Sequence, residues 1–461
     1  MLLTVRRTAA APTLSRSALV LVCVAQLLVV ADLTAVTMAL PSIGADLLLG
    51  PAVLPWVLAA YPLAFGSLVL PASRLPGFLA GAALFTVASA VAGLASSGEL
   101  LVSARLAQGF GAALVSGAAL AMVAASGGTG RHRVLRWWLA LDAVAAVLGV
   151  LVGGVAVSWF GWRAVFFAAA AVGLLILPLA RPTPRVQRSE PASPTFRTRE
   201  SNAQNPRVPH SGSASPLFGG GLAGRERGTR GVGEWRGAAA MGAAVVLLVH
   251  GSVAAGSGSL VAGVAAVVLG AACVAVFVLV EPPVTPFMAH RSVWSGLVVL
   301  VGAVGLLVAA FVGSSVRLQL AGLSPPRAAL LLLPAAVAAL AVLPVAGRLT
   351  RLVGRRTMSH LGFASAALGF WMLTEGLVAA GLAVVAVCLA PMVVVGAGSA
   401  TSRVAQRDAG QVTGLLAGYL QLGTVLGVAL AGQATVDGAG LTAILVAGVL
   451  AVVPMALLPK R

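Results

Sequence analysis

The sequence predicts an all-α polytopic membrane protein: about 14 transmembrane helices, in two six-helix bundles with parallel pseudo-symmetry plus an inserted helix pair. Three observations support this fold class. The 461 residues are 59% hydrophobic and only 9% charged, whereas soluble proteins carry about a quarter charged residues. Apolar runs of about 20 residues, the length of a membrane-spanning helix, recur along the chain. Finally, Lys and Arg concentrate in alternate loops between these runs.

The apolar runs define the predicted spans and, with them, the domains. Spans 1–6 cover residues 18–40, 53–72, 77–95, 101–125, 134–157 and 164–180, and form the N-terminal bundle 18–180. Spans 7 and 8, at 237–254 and 260–280, are the inserted helix pair of 237–280. Spans 9–14 cover 293–313, 328–346, 358–374, 377–399, 411–432 and 440–458, and form the C-terminal bundle 293–458. Residues 1–17 are a cytoplasmic tail.

The basic residues predict the orientation of the spans. Of the 30 Lys and Arg residues, 26 lie in the two termini and in the loops that follow even-numbered spans. Only Arg163, Arg317 and Arg327 lie in the other loops, and Arg105 lies within a span. Because cytoplasmic loops carry the excess of Lys and Arg, both termini are predicted to be cytoplasmic, which requires an even number of spans.

One long polar segment, residues 181–236, separates the two bundles. It is rich in Pro, Ser, Arg and Gly and has no apolar periodicity, so it is predicted to be a disordered basic cytoplasmic linker. Its arginines can contact anionic lipid. No aromatic stripe or folded motif accompanies the charge, and the sequence therefore predicts no specific nucleic-acid partner.

A weak internal echo relates the bundles. Ser73-Arg74-Leu75 follows span 2, and Gly347-Arg348-Leu349 follows span 10. Aligning the two loops makes spans 1–6 correspond to spans 9–14. Parallel repeats around a central cavity are a transporter architecture.

Three ionisable residues lie well inside predicted spans: Asp32, Arg105 and Asp142. At about 1.5 Å per residue, Asp32 and Arg105 lie roughly 13 and 9 Å below the same outer surface, so they are near one level and opposite in sign. Asp142 lies nearer the cytoplasmic side. Burial favours the neutral form of a carboxyl group and a nearby arginine favours the charged form, so both acids are predicted to exchange protons. The alternative is a static buried ion pair that fixes helix packing.

Small and polar residues supply further candidates. Gly109 and Gly111 in span 4, and Gly149, Gly153 and Gly154 in span 5, are predicted to be close-packing faces against which a neighbouring helix can move. Gln108, Gln319 and Gln421 are candidate polar residues of a substrate cavity, although hydrogen bonds in packing would explain the last two equally well. Aromatic residues near span ends are predicted to anchor the membrane surface; they are Trp56, Tyr61, Phe160 and Trp162.

Several of these residues stand in motifs. Span 1 has Asp32-Leu33-Thr34 and Ala39-Leu40-Pro41; span 2 has Trp56 and Tyr61-Pro62-Leu63; span 4 has Arg105, Gln108-Gly109 and Gly111-Ala112-Ala113; span 5 has Gly149 and Gly153-Gly154, followed by Trp162-Arg163; the second half has Leu318-Gln319, Gly322-Leu323-Ser324 and Pro334. With these motifs the sequence resembles a major facilitator superfamily transporter of the fourteen-span drug:proton antiporter branch. The family's acid and most of its basic run are missing from the loop after span 2, and Val150 replaces the proline of the span 5 motif.

The resemblance implies a secondary active transporter that exports small organic compounds in exchange for protons by alternating access. It implies a monomer in the bacterial cytoplasmic membrane, with a small-molecule substrate and protons as partners, Arg105 in proton coupling, and no cofactor or metal. Two alternatives remain: an uncoupled or import-type facilitator of the same fold, and a non-transporting membrane sensor or scaffold. An enzyme is not predicted, because no Asp, Glu, His or Cys cluster lies at a membrane face.

Overall fold

The computed structural model describes residues 16–50, 53–72, 77–125, 130–179, 291–401 and 409–433. Within these ranges the chain forms eleven helices and no strands. The first half contains α1 (Arg16–Asp46), α2 (Leu54–Ala72), α3 (Phe78–Gly93), α4 (Gly98–Ala125), α5 (Gly130–Phe160) and α6 (Arg163–Leu179). The second half contains α7 (Arg291–Leu320), α8 (Pro325–Val353), α9 (Arg355–Thr374), α10 (Val378–Thr401) and α11 (Ala409–Gln433).

The helices agree with the predicted spans in number and order wherever the structure describes the chain. Five of them, α1, α4, α7, α8 and α10, contain stretches long and apolar enough to cross a membrane by length and composition. The predicted spans 237–254, 260–280 and 440–458, and the linker 181–236, lie outside the described residues.

Helix ends differ from the predicted span ends, most clearly at proline. Span 1 was predicted to end at residue 40, but α1 continues through Pro41 to Asp46. Likewise α8 contains Pro334 and Pro344 and extends to Val353. A proline removes a single N–H donor from a helix, and helices packed among neighbours in a membrane protein tolerate this loss.

The packing of the two halves repeats. In the first half α1 packs on α5, and both α2 and α3 pack on α4. In the second half α7 packs on α11, and both α8 and α9 pack on α10. These are the same pairs under the predicted alignment of spans 1–6 with 9–14, so the parallel repeat is confirmed for the described helices. The halves meet chiefly through two equivalent pairs, α2 with α11 and α5 with α8, and also where α1 crosses α7.

A buried apolar cluster joins the halves at one end of the bundle. This end, where α1 finishes and α2 begins, is called the distal end below. The cluster contains Leu40, Leu58, Leu101 and Val157 from the first half and Val316 and Val428 from the second. All six lie near the distal ends of their helices, so the two halves are sealed against each other there.

Candidate functional site

An ion pair between α1 and α4 lies at the centre of the first half. Arg105 donates from Nη1 to Asp32 Oδ2, and the two side chains are fully enclosed. Burying a charge costs several kcal/mol, and a partner of opposite sign offsets this cost only with good geometry and further hydrogen bonds. The structure thus brings together the two residues that the depth estimate placed at one level.

Arg105 has four further contacts. Its Nε donates to the carbonyl oxygen of Val57 on α2 at 3.2 Å, and its Nη1 donates to Gln108 Oε1 at 3.0 Å. Its Cζ lies 4.6 Å from the centre of the Tyr61 ring and 5.9 Å from that of Phe166 on α6. A guanidinium over an aromatic face gains up to about 2 kcal/mol when desolvated. The remaining nitrogen, Nη2, has no hydrogen-bond partner among the described residues.

Gln108 connects the ion pair to α3. Its Nε2 donates to Ser89 Oγ at 2.8 Å and lies 3.5 Å from Asp32 Oδ1, while Ser89 donates to the carbonyl oxygen of Phe85. Gln108 and Ser89 are completely buried. The sequence placed Gln108 in the wall of a substrate cavity, but the structure places its side chain inside the first half, where it orients the ion pair.

Tyr61 was predicted to be a surface anchor, and this prediction is wrong. Its ring is 1% exposed and packs between Phe65, Phe85 and the Arg105 guanidinium. Its hydroxyl donates to the carbonyl oxygen of Val29 on α1 at 2.9 Å. The buried charge draws the ring inward, because an aromatic face can solvate a cation where water cannot reach.

Trp162 is also buried, contrary to the predicted surface position. Its indole N–H donates to Asp46 Oδ2 at 3.1 Å, and Arg163 donates to the same oxygen at 2.7 Å. This cluster ties the end of α1 to the start of α6 at the distal end. Phe160, in contrast, is 75% exposed, as an anchor would be.

The glycines of α5 divide between two neighbours. A Cβ added to Gly149 would overlap Thr34 Oγ1 and the Ala31 carbonyl oxygen of α1, and one added to Gly153 would lie 2.6 Å from Ala35 Cα. A Cβ on Gly154 would instead lie 3.1 Å from Ala329 Cβ on α8 of the second half. Consecutive residues therefore connect α5 to the helix that carries Asp32 and to the other half.

The glycines of α4 allow similarly close packing. A Cβ on Gly109 would overlap the carbonyl oxygen of Tyr61 on α2, and one on Gly111 would lie 2.6 Å from the backbone nitrogen of Phe85 on α3. These contacts bring α2 and α3 close enough for Tyr61 and Ser89 to reach the ion pair.

The remaining candidates lie elsewhere. The side chain of Asp142 is outside the described residues, although its backbone belongs to α5. Gln319 donates to Ser315 Oγ of its own helix at 3.2 Å. The Oε1 atom of Gln421 is buried at the contact between α11 and α2, beside Gly66, and has no hydrogen-bond partner in the described part of the chain. The same part holds no group of three or more His, Cys, Asp or Glu residues that could bind a metal ion.

Comparison with known proteins agrees with this arrangement. The profile of the Major Facilitator Superfamily matches residues 22–210, the part of the chain that contains the ion pair and the α5 glycines. The match covers less than half of the chain, and its first half is thus similar to the superfamily. Its fold is similar to that of a solved peptide transporter: the crystal structure in complex with sulfate superimposes with a TM-score of 0.63 over 97% of each chain, at 15% identity.

Two relatives carry names that describe export or resistance. The cephamycin export protein CmcT of Amycolatopsis lactamdurans is 41% identical over 173 residues, 36% of each chain. The lincomycin resistance protein of Streptomyces lincolnensis is 36% identical over 183 residues, 37% of this chain and 38% of that one. The matched segments thus span little more than a third of these relatives.

Proposed function

We propose that this protein is a secondary active transporter that exports small organic compounds across the membrane in exchange for protons. The observation that carries the proposal is the enclosed ion pair of Asp32 and Arg105. The export and resistance names of relatives that share this part of the superfamily fold support the direction. In this proposal the basic loops and both termini face the cytoplasm, so the distal end is extracellular.

Asp32 is the proton carrier in this proposal. A proton that binds its carboxylate neutralises the acid and leaves Arg105 as an uncompensated charge inside the first half. The arginine then keeps the Val57 carbonyl, Gln108 and the faces of Tyr61 and Phe166 as its remaining partners. The two protonation states therefore favour different positions of α1 relative to α4, which is how proton binding can bias a conformational equilibrium.

The glycine contacts of α5 provide a route from Asp32 to the second half. Movement of α1 reaches α5 through Gly149 and Gly153, which are in backbone contact with the turns that flank Asp32. Gly154 transmits it to Pro325 and Ala329 at the start of α8. Small residues on both sides let these helices slide without side chains interlocking. Loosening this contact would open the distal seal for substrate release.

Proton-driven accumulation in proteoliposomes tests the proposal. With an acidic lumen, a transported drug is expected to accumulate, and a protonophore or Asp32→Asn should abolish accumulation. If Arg105→Ala and Asp32→Asn both left it unchanged, the assignment of these residues to coupling would be wrong. Accumulation insensitive to the pH gradient would instead indicate an uncoupled facilitator.

Deleting residues 185–230 is expected to spare transport. Loss of a cellular phenotype with transport intact would favour a sensor or scaffold.

A further inference from the structure

Asp32 and Arg105 are enclosed within the first half, whereas the described contacts between the halves are made by uncharged groups. This difference restricts the class of compound that can bind between the halves. We propose that the transported compound is an uncharged apolar molecule with a hydrogen-bond donor, and that a cation is not a substrate. This inference rests on the proposed function, because it names the substrate class of the same transporter.

The first argument is that Asp32 already forms an ion pair with Arg105, so it cannot also bind a cationic substrate. Its carboxylate is fully enclosed and is paired with Arg105, while Gln108 lies beside its second oxygen. The pair lies on α1 and α4, and the other helices around it are α2, α3 and α6, all of the first half. A cationic substrate would have to displace Arg105, which the Val57 carbonyl and the Tyr61 ring also hold. Separation of the halves by itself removes none of these partners of Arg105, because all of them belong to the first half.

The second argument comes from the distribution of acids. Of the twelve Asp and Glu residues, only Asp32 and Asp142 lie within predicted spans. The five described helices of the second half, α7 to α11, contain no acidic residue. A cation that leaves water for a low-dielectric site costs several kcal/mol unless an anion compensates it. These five described helices offer no such anion to a substrate held between the halves.

The third argument is the chemistry of the surface between the halves. At the crossing of α1 and α7, Ser315 donates to the sulfur of Met38 at 3.9 Å. At the crossing of α2 and α11, the buried Gln421 Oε1 accepts no hydrogen bond from the described residues. An unsatisfied buried acceptor costs about 1–3 kcal/mol. A hydroxyl or amide donor on an uncharged substrate would recover this cost as the halves part, and the apolar side chains around it would bind the rest of the molecule.

The charge of the substrate determines whether membrane potential contributes to its accumulation. Exchange of one uncharged molecule for one proton moves one net positive charge, so membrane potential contributes to the gradient that transport can build. A potential of 100 mV acting on one charge is worth about 2.3 kcal/mol, or roughly a 50-fold gradient. Exchange of a monovalent cation for a proton would move no net charge and would gain nothing from the potential.

A matched pair of ligands tests the substrate class by binding. An aryl amide that carries a trimethylammonium group is compared with its tert-butyl isostere, which has the same shape and no charge. Equilibrium binding is measured on the full-length protein in lipid nanodiscs, with chloramphenicol and ethidium as a second uncharged and cationic pair. The uncharged ligands are expected to bind at least tenfold more tightly than the cations. Gln421→Leu should weaken the binding of the uncharged ligands, while Thr424→Val, on the same helix and with its hydroxyl already bonded to the Leu420 carbonyl oxygen, should leave it within twofold. Equal or tighter binding of the cations would overturn the inference. If Asp142→Asn then abolished binding of the cations, Asp142 would be identified as their counter-ion.

A transport assay distinguishes failure of the proposed substrate class from failure of the proposed function. In proteoliposomes with a fixed pH gradient, a lumen-positive potential of about 100 mV, set with valinomycin and potassium, is expected to raise steady accumulation of the uncharged ligand by up to about 50-fold. Accumulation that ignores the potential, or that occurs for the trimethylammonium ligand instead, contradicts the substrate class. If uncharged ligands bind preferentially but no compound accumulates under any gradient, the proposed function fails while the binding preference stands.

Discussion

Gly153→Ala should disturb the contact between α5 and the helix that carries Asp32. A Cβ at this position would lie 2.6 Å from Ala35 Cα and 2.9 Å from Ala35 Cβ, whereas ordinary contacts begin at 3.4 Å. The two helices must therefore separate by about 1 Å, because backbone atoms cannot rotate aside. Overpacking of this kind costs about 1–3 kcal/mol. Ala35 is three residues, or about 4.5 Å along the helix, from Asp32, so the shift also reaches the ion pair.

Alanine at two other glycines should have progressively smaller effects on stability. At Gly154 the added methyl would lie 3.1 Å from Ala329 Cβ, an overlap of a few tenths of an ångström that falls between the halves. At Gly398 in α10 it would meet nothing within 4 Å, and alanine there should be neutral or stabilising by up to about 1 kcal/mol. Thermal unfolding in nanodiscs, followed by tryptophan fluorescence, should rank Gly153→Ala below Gly154→Ala and Gly154→Ala below Gly398→Ala. Equal melting temperatures for Gly153→Ala and Gly398→Ala would refute the close α1–α5 contact.

Three further predictions concern charged and aromatic groups. Arg105→Gln and Asp32→Asn should each lower the free energy of unfolding by about 3–5 kcal/mol, because each leaves an unpaired buried group. The double variant should lose less than the sum of the two, as measured by denaturant unfolding. Strict additivity would show that the two charges do not interact. Tyr61→Phe keeps the ring and should retain most proton-driven transport, whereas Tyr61→Leu should lose at least tenfold; equal losses would assign the role to the hydroxyl. Arg163→Gln should leave stability nearly unchanged, because its pair with Asp46 is nearly half exposed; a clear loss in the same unfolding assay would contradict a surface role.

The sequence contained enough information for the ion pair. A charge inside an apolar run requires a partner, and helix rise alone puts Asp32 and Arg105 at similar depths. Helix periodicity likewise marks Gly149 and Gly153, which are four residues apart, as one packing face. What periodicity alone does not show is the neighbour that each face meets. The structure assigns that face to α1 and Gly154 to α8.

The aromatic residues show where sequence reasoning fails. Tyr61 and Trp162 stand near span ends, where aromatic residues commonly anchor the membrane surface, and nothing local distinguishes them from Phe160. Burial of Tyr61 depends on Arg105, 44 residues later in the chain, and that of Trp162 accompanies a hydrogen bond to Asp46 of α1. Phe166 and Ser89 carry no sequence signal at all, since only the packing of α6 and α3 brings them to the site. Contacts between distant segments were the missing information.

Separating exchange from proton-driven transport tests the central claim most directly. Counterflow, the exchange of labelled for unlabelled substrate across proteoliposomes without any gradient, requires the halves to alternate but no net proton movement. Asp32→Asn is expected to retain counterflow at a rate near that of the wild type while it loses accumulation driven by an acidic lumen. If Asp32→Asn accumulates substrate against its gradient as the wild type does, protons do not couple through this carboxylate, and the ion pair is a structural element of the first half.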